Sequence, residues 1–310
     1  MSRAFVFPGQ GAQTIGMGRA LAEAYPAAKA VFDEVDEALG ENLSALIWAG
    51  DIETLTLTQN AQPALMATSM AAVRALAAEG FPLVGTADFV AGHSLGEYSA
   101  LCAAGSLSLS DTARLLRIRG EAMQEAVPVG EGAMAALLGL DFEAAVAVAA
   151  EAAAGEVCQA ANDNDPAQVV VSGHRAAVER AVEIARARGA RRALLLPVSA
   201  PFHCVLMQPA AARMAEALAA VVIQDPAVPV VVNVRAEAVT GANRIADLLV
   251  AQVTGPVRWR ESVLWMERAG VTDYWEIGAG KALSGMIKRI VKGAQTRSIG
   301  TPEDIAALKG

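Results

Sequence analysis

The chain has 310 residues, of which 54% are hydrophobic but only 5% aromatic, so its core is built mainly from Ala, Val and Leu. That length accommodates one large domain carrying a smaller insert, or two domains. A formal net charge of −8, from 25 Lys and Arg against 33 Asp and Glu, argues against a general nucleic-acid binder, which needs a basic face.

The apolar part of the N-terminus is too short for a signal peptide, and no apolar run approaches bilayer-spanning length, so no membrane association is expected. Cys102, Cys158 and Cys204 form no C-x-x-C pair and no metal-ligand spacing. An odd, scattered set fits reduced, buried thiols in a cytoplasmic protein.

In chain order, a strand is expected over 3–7, followed by a sharp turn at Pro8-Gly9-Gln10-Gly11 and a helix from Arg19. A dinucleotide loop is excluded there, because Thr14 stands where the third glycine would be needed. Gly280-Lys281-Ala282 fails as a phosphate loop, with Trp275 in place of the first glycine and Ala282 in place of Ser or Thr. Helices are expected over 27–39 and 60–79.

Next comes Gly92-His93-Ser94-Leu95-Gly96-Glu97, between an apolar run at 87–91 and helix formers from Tyr98 onward. Strand, sharp turn and helix is the setting in which a G-x-S-x-G run presents a serine nucleophile. The Leu95 amide falls at the start of the new helix, where unpaired N–H groups favour an oxyanion. Ser110-Asp111 is expected to cap a helix running to Ala126, and residues 128–132 read as a domain junction.

From 129 the pattern becomes strand (133–140), helix (141–154), strand (157–161), a turn at Asn162-Asp163-Asn164-Asp165-Pro166, strand (168–172), helix (175–188) and strand (193–197). This βαββαβ order is the ferredoxin-like arrangement. The expected organisation is a large α/β-hydrolase-like domain with a parallel sheet, formed by residues 1–128 and 199–310, with a ferredoxin-like domain inserted at 129–198. In the second part of the large domain, helices are expected at 204–220, 245–253 and 257–269, strands at 228–233 and 273–277, and a last helix at 282–291.

A serine nucleophile needs a base, and only His93, His174 and His203 are present. His93 adjoins Ser94 on the turn and should point away from it. His174 sits between a strand and a helix of the small domain. By elimination His203 is the best candidate, since it follows the re-entry into the large domain, where clefts form. Arg119 lies mid-stripe on the apolar face of its helix, with Leu115, Leu116, Ala122 and Met123. There a guanidinium is costly unless paired. It is either half of a buried salt bridge or a waiting site for a substrate carboxylate.

Taken together, Phe7 to Gly11, Gln62-Pro63-Ala64, Gly92 to Tyr98, Arg119-Gly120, Gln168-Val169-Val170, Pro201-Phe202-His203, Gln252 with Pro256-Val257, and Glu276-Ile277-Gly278 resemble the malonyl-CoA:acyl-carrier-protein transacylases of type II fatty acid synthesis. The resemblance runs nearly end to end. It implies an acyltransferase in which Ser94 carries the malonyl ester, His203 is its base and Arg119 grips the malonyl carboxylate. It also implies an oxyanion hole from the amides of Gln10 and Leu95, with Gln252 lining the site and a main-chain carbonyl beside it orienting the histidine. Leu95 and Phe202 match malonyl-selective members. Ala279 stands where the family usually has proline, and Gly255 where asparagine is common; both concern loop stiffness.

The implied partners are malonyl-CoA, which is the substrate, and holo acyl carrier protein. No further cofactor, metal or nucleic acid is implied, and a stand-alone monomer is expected. Carrier proteins of this pathway are acidic, so Arg191, Arg192, Lys288, Arg289 and Lys292, the densest basic groups, are candidate docking residues; they fit a solvated face equally well. A serine esterase is the rival enzyme class. It would want an Asp or Glu after Ser94 and a late histidine, yet none follows His203, and Arg119 would have no role on an uncharged ester. A carrier-binding scaffold with an incidental serine is the non-enzyme alternative.

Overall fold

The computed structural model describes residues 2–198 and 200–309. Ser199, the expected first residue of the returning large domain, lies outside the described residues, as do Met1 and Gly310.

Among the described residues ten strands form two sheets. In the large domain β1 (Ser2–Phe7), β2 (Phe89–Gly92), β7 (Val230–Val232), β8 (Glu237–Val239), β9 (Val271–Ile277) and β10 (Gln295–Ile299) lie in the order β10-β9-β1-β2-β7-β8. All neighbours are parallel except β7 and β8. The central strands are apolar on both faces, as a sheet covered by helices on both sides requires. Helix Thr58–Ala78 is buried almost all round and packs among the other helices of this domain.

The second sheet joins β3 (Gly132–Leu138), β4 (Cys158–Asp165), β5 (Gln168–His174) and β6 (Arg192–Leu195) in the antiparallel order β4-β5-β3-β6. Helices Phe142–Ala153 and Arg175–Ala187 cover one face and enclose a separate core of Ala, Val and Leu. This is the expected βαββαβ unit.

Three local expectations change. The helix around Arg119 is capped by Ser108, not Ser110; it runs Leu109–Glu125, and the Ser108 Oγ accepts from the Asp111 amide at 3.0 Å. Residues 162–165 extend β4 instead of turning. Their side chains face the large domain: Asp163 pairs with Arg260 at 2.8 Å, Asp165 with Arg289 at 2.7 Å, and Asn164 meets His93 at 2.8 Å. The main chain joins in, with the Asp163 amide donating to Val257 O and the Val257 amide to Ala161 O. Partners across the domain boundary thus override the turn preference of Asn and Asp. Helix Ala282–Ile290 is not the last, since β10 and a capped helix, Pro302–Ala306, come after it. Helices Leu43–Ala49 and Ile52–Thr56 also escaped the periodicity reading, being only 7 and 5 residues long.

Candidate active site

The carboxyl ends of β1, β2 and β7 converge where the small domain meets the large one, the usual place for a ligand in an open parallel sheet. The cavity there is about 460 Å³. Gln10, Ser94, Leu95, Arg119, Phe202 and His203 line it from the large domain, and Met134, Asn164 and Val170 from the small one.

Ser94 occupies the turn between β2 and helix Leu95–Ala103 with φ 54° and ψ −111°. For a residue with a side chain such a conformation costs on the order of 1–3 kcal/mol and persists only where the surroundings enforce it. The flanking glycines are one enforcement. A Cβ on Gly92 would stand 1.9 Å from the Gly96 carbonyl, and one on Gly96 would stand 2.3 Å from Phe7 O. Strand, turn and helix therefore close to a distance that no other residue type permits.

The half-buried hydroxyl meets His203. Ser94 Oγ and His203 Nε2 are 2.8 Å apart, and His203 Nδ1 lies 2.9 Å from the main-chain carbonyl of Gln252. A carbonyl only accepts, so Nδ1 carries the proton, and Nε2 of the neutral ring accepts from the serine. Burial, reinforced by the positive charge of Arg119, lowers the His203 pKa to about 3. The ring is thus an unprotonated base at neutral pH. His203 also has a positive φ, 59°.

Arg119 is buried, 1% exposed. Its Nη1 donates to Gln62 Oε1 at 2.7 Å; its Nη2 donates to Gln252 Oε1 at 2.9 Å and to Ser94 Oγ at 3.1 Å. All these acceptors are uncharged. Among the described residues no carboxylate forms an ion pair with it, and Nε has no hydrogen-bond partner. Of the two readings open from sequence, the salt bridge fails. The guanidinium stands beside the Ser94 hydroxyl with no ion-pair partner among the described residues, Glu97 acting on it only at longer range, and is suited to a carboxylate brought by a ligand.

Leu95 is the first residue of its helix, so its amide has no acceptor within that helix. Gln10 lines the same cavity, with its side chain tied to Thr58 Oγ1 at 3.3 Å. Gln252 is fully buried; its Nε2 donates to Ser94 O at 3.1 Å. Phe202 lines the wall beside His203. His93 turns to the small domain, donating from Nε2 to Asn164 Oδ1, and His174 only takes the Val157 amide at 3.0 Å.

Four residues given no role from sequence belong to this cluster: Gln62, Asn164, Asn233 and Glu97. Gln62 holds Arg119, and Asn164 holds His93. Asn233, just beyond β7, accepts from the Ser94 amide at 2.8 Å and receives the Glu97 carboxylate on its own amide at 2.7 Å. Burial raises the Glu97 carboxyl to about 7, against the pull of the Asn233 amide, Gln252 and Arg119.

The basic candidates divide. Arg289 is engaged by Asp165 across the domain boundary. Arg191, Arg192, Lys288 and Lys292 are exposed. Lys288 lies on the helix whose Ala282, Leu283 and Met286 line the cavity, whereas Arg192 starts β6, about 13 Å of strand from the lining residue Leu196.

The family model for the acyl transferase domain matches residues 4–296. The chain is 50% identical over 303 residues to a malonyl CoA-acyl carrier protein transacylase of Bacillus subtilis, covering 97% of this chain and 94% of that one. The chain belongs to the malonyl CoA-acyl carrier protein transacylase family. Among solved structures, the acyl-carrier-protein S-malonyltransferase of Bartonella henselae superposes with a TM-score of 0.97 at 55% identity, covering 99% of this chain and 98% of that one. A malonyl-transacylase in complex with its type II PKS acyl-carrier protein superposes with a TM-score of 0.96 at 42% identity, covering 99% and 98%. Membership makes this an acyltransferase, and the fold expected from sequence is the fold of the family.

Proposed function

We propose that the protein transfers the malonyl group of malonyl-CoA to the phosphopantetheine thiol of acyl carrier protein, through an ester on Ser94. The observation that carries this reading is a buried Arg119 with no ion-pair partner among the described residues, 3.1 Å from the serine hydroxyl that faces an uncharged imidazole.

In the first half-reaction Arg119 holds the malonyl carboxylate and thereby sets the thioester carbonyl against Ser94. Ser94 Oγ attacks as its proton passes to His203 Nε2. The negative charge developing on the carbonyl oxygen is met by the amides of Leu95 and Gln10. The Gln252 carbonyl keeps His203 in the required tautomer and steadies the imidazolium. Collapse expels the CoA sulfur, which takes the proton back from His203. In the second half-reaction the carrier's thiol gives its proton to His203 and attacks the ester, and Ser94 leaves with that proton. Every step uses groups of the chain and its two substrates; the residues require no further cofactor.

The carrier is acidic, and exposed Lys288 and Lys292, with Arg191 and Arg192, form its proposed landing surface. A cytoplasmic location fits the three buried free thiols and the absence, among the described residues, of a helix long and apolar enough to cross a membrane.

The test is transfer itself: incubation with malonyl-CoA and holo acyl carrier protein, and then the mass of the carrier. One malonyl group on the carrier, dependent on the enzyme, is the expected result. A carrier left unmodified while malonyl-CoA is hydrolysed would establish an esterase instead.

A further inference from the structure

We propose that Asn233 and Glu97 are positioning residues that staple the nucleophile's turn in its reactive shape; this rests on Ser94 being the acylated residue.

β2 and β7 pair in parallel through Val90–Val230 and Ala91–Val231, so continuing the register sets Asn233 opposite His93. At that level β2 leaves the sheet to make the turn, and the main-chain ladder stops. The Asn233 side chain takes over from it. Its Oδ1 accepts from the Ser94 amide at 2.8 Å, and its Nδ2 donates to Gly92 O at 2.7 Å. One carboxamide thus bridges both sides of the left-handed kink. Its orientation is fixed, because Ser94 offers only a donor there and Gly92 only an acceptor.

Asn233 is itself held. Its amide donates to Glu97 Oε2 at 2.7 Å, from the helix that the turn begins. Its Oδ1 also lies 3.3 Å from Gln252 Nε2, the side chain that touches both Ser94 O and Arg119. Asn233 and Glu97 are fully buried, and neither lines the cavity. With no access to substrate, their effect passes through the direction of Ser94 Oγ toward His203. Glu97 needs only an acceptor oxygen for this task, which Gln also supplies.

The experiment measures first-turnover CoA release from malonyl-CoA. Malonyl-CoA affinity is measured separately, by calorimetry, with each substitution placed on Ser94→Ala. Asn233→Ala, and Asn233→Asp, which sets an oxygen against the Gly92 carbonyl, should each slow acylation by about 30-fold or more, since small misplacement of a reacting group is that costly. Affinity should stay within about threefold, because uniform binding is untouched. Glu97→Ala should slow acylation about 10-fold, and Glu97→Gln should restore it to within about threefold of wild type. Acylation of both Asn233 variants at the wild-type rate, affinity falling in step with rate, or Glu97→Gln as slow as Glu97→Ala would each overturn the proposal. If Asn233→Ala does not fold, Asn233→Asp and the Glu97 pair decide. Wild type left unacylated in the same run would refute Ser94 as the nucleophile, a separate outcome.

Discussion

Removing Arg119 should convert a malonyl-selective site into an indifferent one. The guanidinium is 1% exposed and its partners, Gln62, Gln252 and Ser94, are all neutral. In Arg119→Ala a malonyl carboxylate would be buried without a counter-charge. Breaking such a pair costs about 3–5 kcal/mol, or roughly two to three and a half orders of magnitude. Acetyl-CoA brings no carboxylate, so its loss should be limited to the effect of loosened hydrogen bonds at Gln62 and Gln252, about tenfold or less. Arg119→Lys, which keeps the charge but loses the planar fork, should fall between. The assay is first-turnover CoA release from each thioester, with the acyl-enzyme confirmed by mass. The cavity and the lost hydrogen bonds should lower the thermal midpoint, but that loss is common to both thioesters, so the ratio of malonyl to acetyl rates isolates the carboxylate contact. Equal losses for malonyl and acetyl would refute the reasoning and make Arg119 a structural residue.

His203→Ala should slow acylation by about 10²–10⁴-fold, the usual worth of a positioned base; a loss under tenfold would remove His203 from the chemistry. Because the ring's pKa lies near 3 rather than 6.5, it stays an unprotonated base as pH falls, and kcat/KM for malonyl-CoA should hold its plateau down to about pH 5. A midpoint near 6.5 that survives Glu97→Gln would contradict this. Glu97, raised from 4.5 to about 7, keeps its proton longer in the folded state, so its contribution to stability is present below pH 4.5 and lost as pH rises through 7. Relative to Glu97→Gln, wild type should therefore lose up to roughly 3 kcal/mol between pH 5 and 8 in urea melts; a pH-independent gap would contradict it. Gly96→Ala forces a Cβ to within 2.3 Å of Phe7 O and should destabilise by about 2–3 kcal/mol or more, read as a fall in thermal midpoint. Charge reversal at Lys288 and Lys292 should slow transfer to carrier protein while sparing transfer to free pantetheine; unchanged carrier kinetics would clear that surface.

Much of this was legible because long-range structure left short-range marks. Gly92 and Gly96 flag a close approach of backbones, and Arg119 on an apolar stripe flags a buried charge. The βαββαβ order flags the inserted domain. What stayed hidden depends on partners far away in the chain. Asn162 to Asp165 read as a turn because Asn and Asp favour turns, yet Arg260, Arg289 and His93 hold those residues extended. Asn233 is one polar residue after an apolar strand, and only the pairing of β7 with β2 brings it to Ser94, 139 residues away. Gln62 and Glu97 sit on helices whose buried faces are wider than their periodicity implied. Arg289 counted as a free charge until the small domain supplied Asp165.

The central claim is an acyl ester on one serine, held by one cation. Intact-mass analysis after incubation with malonyl-CoA, with peptide mapping of the product, tests it most directly. One malonyl group on Ser94 of wild type, and none on Ser94→Ala, is the predicted result. A malonyl group on the alanine variant, or on any other residue of wild type, would contradict it.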